Sequence, residues 1–196
     1  LEPIENPQAG NIQGRLASAQ NALTALEQGA DFIVLTGNPY TGVTAAGLIG
    51  ALKEIYQAIH GRLVLFVGKM HCAGTAEGGL SASDIEMAAD AGADGILLPA
   101  PATLPGMTVE RVQDLVERAH ARGLLVISGI GTSQEGASQN TIEQLALMSK
   151  MSGADIHHIG DAGMLGMAVP ENITAWSIAL RGRRHTWHRM AASLRR

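Results

Sequence analysis

Gly153-Ala154-Asp155-Ile156-His157-His158-Ile159-Gly160-Asp161-Ala162-Gly163 is the stretch on which the fold of this chain turns. A Gly-Ala-Asp triplet opens it and a short apolar run carrying two adjacent histidines follows. A glycine-rich turn holding one carboxylate closes it. Pro170 stands beyond, at a position suited to the first turn of a helix. Strand, glycine-rich turn, then helix start is an arrangement that presents backbone N–H groups to an anion. Taken alone, the same residues also read as a plain strand-to-helix turn whose glycines serve only backbone geometry.

The triplet recurs. Gly-Ala-Asp stands at 29–31, 92–94 and 153–155, and apolar runs begin just after Gly29, Gly61, Gly92, Gly123 and Gly153. The spacings are 32, 31, 31 and 30 residues. The runs are Phe32–Leu35, Leu63–Val67, Gly95–Leu98, Leu124–Ile127 and Ile156–Ile159. Each is a short run of the kind expected for a strand buried on both faces of a parallel sheet.

Helical patterns fill the gaps. Arg15–Gln28 and Ala45–His60 place leucines and isoleucines three and four residues apart, as one buried face requires. Ser83-Asp84-Ile85-Glu86 reads as a capping box, Thr108 as the cap of Val109–Arg122, and Asn140 with Glu143 as the opening of a fifth helix. Pro170–Arg181 is a sixth. Each of the first five ends near a repeat glycine able to take the left-handed cap conformation.

Strand–helix units of this even length predict parallel strands joined by right-handed crossovers. They favour an α/β fold of the (β/α)8 TIM-barrel type, which needs about 250 residues for its eight units. Leu1–Ile4 lies one period before Asp31 and reads as the end of a strand already under way. The expectation is therefore a barrel incomplete at its N-terminus, running from the end of the third strand to the eighth helix. Residues 1–182 would form the barrel units and 183–196 a basic helix or tail packed on them. An open doubly wound sheet is the alternative. No Gly-x-Gly-x-x-Gly follows the first complete strand, which counts against a dinucleotide fold.

Composition bounds the function. The chain has 196 residues, 46% hydrophobic and 16% charged, enough apolar content for a real core. A net charge of −4 argues against nucleic acid as a partner. No apolar run reaches the roughly 18 residues of a membrane span. The single cysteine, Cys72, excludes an internal disulfide framework and suits a reducing, cytoplasmic setting. The basic end, Arg181–Arg196, reads as a solvated closing helix or, through Trp187, as a subunit contact in a homo-oligomer.

In barrels of this kind chemistry gathers at the C-terminal ends of the strands and in the loops after them. Those positions here are polar: Glu2, Asn38, Lys69, His71, the run Ser128–Ser133, and His158 through Asp161. The loops after the last two strands commonly hold phosphate. Gly131, Thr132 and Ser133 with Gly160, Ala162 and Gly163 are accordingly the expected phosphate-binding groups. Lys69, read as facing the barrel mouth, suits an anion contact or a Schiff base. His71 suits acid–base work. His157 and His158 must point to opposite faces of a regular strand, and His158, nearer the rim, is the preferred candidate. Lys69, His71, Glu2 and His158 thus form the expected catalytic set, with Asn38 positioning the substrate. Glu2 and Asp161 are the candidate ligands of a divalent metal such as magnesium, since carboxylates suit that ion. The loop 73–81, with three glycines, reads equally as a mobile lid or as linker-like slack.

Four strings carry a resemblance: Leu-Thr-Gly-Asn-Pro-Tyr-Thr-Gly-Val-Thr (35–44), Gly-Lys-Met-His-Cys-Ala-Gly (68–74), Gly-Ile-Gly-Thr-Ser-Gln-Glu-Gly-Ala (129–137) and Ala-Asp-Ile-His-His-Ile-Gly-Asp-Ala-Gly (154–163). Across essentially the whole chain they resemble an uncharacterised bacterial TIM-barrel family. Its members are often labelled phosphoenolpyruvate phosphonomutase-like and grouped with the ribulose-phosphate-binding barrels. The resemblance implies a longer parent protein. With the strand-end chemistry it leads to an expected enzyme of lyase, mutase or isomerase type on a small phosphorylated or carboxylated metabolite. A non-catalytic metabolite-binding or regulatory barrel is the alternative.

Overall fold

A computed structural model describes residues 13–37, 42–69, 79–160 and 168–192. Five strands alternate with helices: α1 (Ala19–Glu27), β1 (Phe32–Gly37), α2 (Ala45–Ile59), β2 (Val64–Lys69), α3 (Ala82–Asp90), β3 (Gly95–Pro99), α4 (Val109–Ala121), β4 (Leu125–Gly129), α5 (Gln139–Met151), β5 (Ile156–His158) and α6 (Pro170–Ala191). All neighbouring strands are parallel, and their order in the sheet is their order in the chain, β1-β2-β3-β4-β5. No reversal of order occurs among the described strands, so the doubly wound alternative, which needs one, does not describe this sheet.

Alternation along the strands sorts their side chains onto two faces. Ile33 and Leu35, Leu65 and Val67, Ile96 and Leu98, and Val126 face the helices and join Leu48, Leu52, Ile55, Ile85, Val112 and Val116 in the main core. Each such buried side chain contributes about 1.5–3 kcal/mol, so this layer outweighs any single helix cap at about 1 kcal/mol. Val34, Phe66, Leu97 and Ile127 occupy the opposite, inner face. Gly95 belongs there because of Phe66: a Cβ on Gly95 would fall 2.4 Å from that ring. At the N-terminal side of the inner face Phe32, Val64, Leu125 and Ile156 stay 40–55% exposed.

The triplet repeat is structural. Gly29, Gly61, Gly92, Gly123 and Gly153 all have φ between 72° and 95°, where a Cβ would be strained, and each ends a helix. The aspartate then closes the next strand onto its neighbour. Asp94 donates its N–H to the Leu65 carbonyl at 2.9 Å, and its carboxylate accepts the Leu65 N–H at 2.8 Å. Asp155 repeats the pattern on Val126 at 3.0 and 2.8 Å, and its carboxylate also meets His120 at 2.9 Å. Burial works to raise the Asp155 carboxyl, but the hydrogen bonds from His120 and Val126 outweigh it and its pKa is lowered. These aspartates stand at the N-terminal ends of the strands, the face that carries stability rather than chemistry in barrel folds.

Three helix starts differ from the sequence expectation. The capping box of α3 joins Ser81 to Asp84, not Ser83 to Glu86. Ser138, not Asn140, caps α5. The first helix begins at Ala19 behind a Ser18 cap, four residues after the expected Arg15, which instead ends a separate 3-10 turn at Gln13–Arg15. In each case a serine just upstream reaches the free N–H groups of the first turn, which decides the boundary. At the other end α6 breaks at Gly182 (φ 78°, ψ 161°), and Thr186, buried beyond the break, hydrogen-bonds Ser177 before it at 2.9 Å. Among the described residues no helix is long and apolar enough to cross a membrane.

Candidate functional site

Strand register sets out the described part of the sheet's C-terminal end. Pro99, Gly129 and His158 pair in one row on the inner face. Two of the three carry no polar side chain, so His158 is the polar group that this row projects. Its neighbour His157 is turned the other way and its Nδ1 lies 2.8 Å from the Ser149 hydroxyl on α5. Burial is the main cause that holds the His157 pKa below the usual histidine value, and nearby Lys150 adds to it against the opposing pull of Asp155. His158 is exposed, and its Nδ1 accepts the Gly160 N–H at 3.2 Å. A ring that accepts at Nδ1 carries its proton on Nε2 and can donate from there.

The turn after β4 lies beside it. Ile130 donates its N–H to the His158 carbonyl at 3.0 Å, which ties this turn to the end of β5. Ser133 takes a left-handed conformation (φ 69°, ψ 7°) that a non-glycine residue adopts only where its surroundings impose it. Among the described residues the backbone N–H groups of Gly131, Thr132 and Ser133 donate to no acceptor. Three successive N–H groups ending in a left-handed residue are the elements of an anion-binding nest. The Thr132 side chain plays a different part from the one expected. Its hydroxyl donates to the Thr103 carbonyl at 3.0 Å and also meets the Gln134 side chain, so it ties the turn together.

Lys69 departs from its expected orientation. It has the parity of Leu65 and Val67, on the helix side of the sheet, not that of Phe66 on the inner face. It is 4% exposed, and its Cγ lies 3.4 Å from the place of a Cβ on Gly37, its partner in register. The period of two decides this, because an odd number of residues from Phe66 lands on the other side. Glu2, Asn38, His71, Asp161, Ala162, Gly163 and most of the candidate lid 73–81 lie outside the described residues. Among the described residues no group of three or more His, Cys, Asp or Glu side chains could hold a metal ion.

One residue stands out that sequence reading passed over. Glu135, in the short 3-10 turn Gln134–Gly136 after β4, is 6% exposed. Its Oε2 lies 3.4 Å from the place of a Cβ on Gly160. Asn172 of α6, itself buried, donates through Nδ2 to the carbonyls of Glu135 and Ala137 at 2.9 and 2.8 Å and fixes this turn. In the sequence Glu135 reads as an ordinary loop carboxylate between Gln134 and Gly136. Only its burial against the neighbouring strand's turn marks it out.

Fold and site together define a parallel α/β protein in which His158 and the turn after β4 meet at the C-terminal ends of the last two strands. The chain belongs to the family described as Domain of unknown function (DUF7916), whose pattern matches residues 1–196. No curated protein matches it. Similar solved structures share the fold at low identity. A "putative lyase/mutase" from Burkholderia cenocepacia J2315 has a TM-score of 0.61 at 18% identity, over 84% of this chain and 63% of that one. A "putative phosphonomutase" from the same organism has a TM-score of 0.57 at 17% identity, over 84% and 72%. A protein described as "QR15, an Aldolase" has a TM-score of 0.50 at 21% identity, over 83% and 67%.

Proposed function

We propose that this chain is the larger part of a (β/α)8 barrel enzyme of lyase, mutase or isomerase type. Its substrate is a small phosphorylated or carboxylated metabolite, held at the C-terminal mouth. The observation that carries the reading is the run of three uncommitted N–H groups at Gly131, Thr132 and Ser133, in the turn that Ile130 ties to the end of β5, the strand that carries His158. N–H donors fixed in this way stabilise an anionic group at no cost in reorganisation. His158 suits the second role such chemistry needs, a donor to an oxygen on which charge develops. The uncovered apolar residues of the inner face support closure by further strands, since exposed apolar surface of this kind is normally buried. The fold shared with structures described as a lyase/mutase, a phosphonomutase and an aldolase supports the class. The phosphonomutase-like label, a cytoplasmic location, a homo-oligomeric state, and a magnesium ion at Glu2 and Asp161 belong to this reading as proposals.

Two measurements test it. A panel of phosphorylated and carboxylated metabolites should yield turnover that His158→Ala lowers by about 10²-fold or more, the usual scale of acid–base assistance. Binding without turnover across the panel would favour a regulatory barrel. Calorimetric titration with inorganic phosphate should show Gly131→Val weakening affinity by about tenfold or more, the effect of losing one charge-assisted hydrogen bond.

A further inference from the structure

We infer that the C-terminal part of α6, residues 183–192, binds the surface of an anionic lipid membrane, at the end of the molecule away from the mouth. This surface is separate from the anion site proposed above and does not rest on it.

Charge in this chain is segregated. Glu171 is the last of its 18 acidic residues, and the 25 residues after it carry 6 of its 14 lysines and arginines. An acid-free basic end on an otherwise acidic chain is the pattern of a surface-binding tail. The fold holds this end in place. α6 breaks at Gly182, and beyond the break the Thr186 hydroxyl meets that of Ser177 at 2.9 Å. In an unbroken helix nine residues would separate the two by about 13 Å. Thr186 is the one buried residue from 181 to 192. With Thr186 turned inward, Arg184, Trp187 and His188 share the opposite, outward side. Trp187 is 58% exposed and Met190 69%. Among the described residues no carboxylate pairs with Arg183, Arg184 or Arg189, whereas Arg118 and Arg122 are paired. Lys150, in the last turn of α5, donates to the Leu180 carbonyl at 2.8 Å, which sets the break beside the C-terminal end of α5, away from the mouth.

Arginines gain from anionic headgroups, and tryptophan settles at headgroup level. A lipid surface conforms to the segment, so no matched pocket is needed. A second copy meeting it through the same segment would set basic groups against basic groups. A nucleic acid duplex would run on past the acidic remainder of the chain.

Co-sedimentation of the full chain with vesicles, read together with tryptophan emission, tests the inference. Vesicles of equal parts phosphatidylcholine and phosphatidylserine should bind the protein, vesicles of phosphatidylcholine alone should not, and added salt should reverse the binding. Trp176, the other tryptophan, is buried, so a blue shift on binding reports Trp187 and should vanish in Trp187→Phe. Each arginine near an anionic surface strengthens binding about fivefold, so Arg183→Gln, Arg184→Gln and Arg189→Gln combined should weaken it about 100-fold. The corresponding triple change to Lys should stay within about threefold of the wild type, since charge and not shape is read. All three arginines are exposed, so both triple variants should melt with the wild type. Equal binding to the two kinds of vesicle, or binding to neither, would overturn the inference. Binding that survives the change to Gln, or that the change to Lys removes as well, would also overturn it. A duplex oligonucleotide or a second copy of the chain engaging the segment while the vesicles do not would overturn it in favour of that partner.

Discussion

The Oε2 of Glu135 lies 3.4 Å from the point where a Cβ on Gly160 would stand, and the Ile130 carbonyl lies 2.8 Å from the same point. Two loops from adjacent strands meet there with no room for a side chain. Gly160 also has φ 97°, where any other residue is strained. Gly160→Ala should therefore cost about 1–3 kcal/mol in urea denaturation, through strain and overpacking together. A cost below about 0.5 kcal/mol would mean that the two loops do not meet as described.

The aspartates of the repeat should matter for stability and not for binding. Asp94→Ala and Asp155→Ala each remove the acceptor of a strand N–H, at Leu65 and Val126. Each should lower the unfolding free energy by about 1–3 kcal/mol. Phosphate affinity measured by calorimetry should stay within about twofold, since both residues lie at the end of the sheet opposite the mouth. A large loss of affinity at unchanged stability would place chemistry at the wrong end.

How much of this was legible in the sequence follows from range. The 31-residue period exposed the strands and the helix-ending glycines, because both are local patterns with a fixed backbone cause. It could not show that Asp94 and Asp155 bond back to the preceding strand, since that contact spans 29 residues. The helix starts slipped where more than one residue could cap, as with Ser81 and Ser83 or Ser138 and Asn140, and only geometry selects the one that reaches the turn. Parity was readable in principle for Lys69, yet a lysine after an all-apolar run gives no hint of which side is inner. Glu135 was invisible for a different reason: nothing local distinguishes a buried loop carboxylate from a solvated one.

His157 gives the fold a dependence on pH. Its folded pKa is lowered, so the unfolded chain binds the proton more readily. Its contribution to stability is therefore complete above the unfolded value of about 6.5 and declines as pH falls below it, down to the depressed folded value. Urea denaturation between pH 7.5 and 5 should show this decline, and His157→Gln should flatten it. An equal slope in the variant would assign the effect to other groups.

Closure of the barrel can be read from Leu125, which is 45% exposed on the inner face. If closure of a barrel covers that face, Leu125→Ala should cost about 2–5 kcal/mol, as for a buried leucine. A cost below about 1 kcal/mol would leave the face open to water and contradict a closed barrel.

The central claim is that an anion is held by the backbone of residues 131–133 at the C-terminal end of the sheet. Amide chemical shifts of the nitrogen-15-labelled protein, followed during titration with inorganic phosphate, test it most directly. The account predicts saturable shifts at the Gly131, Thr132 and Ser133 amides, with a smaller response at His158 and Gly160. Saturable shifts confined to other segments, or none at these amides at millimolar phosphate, would contradict it.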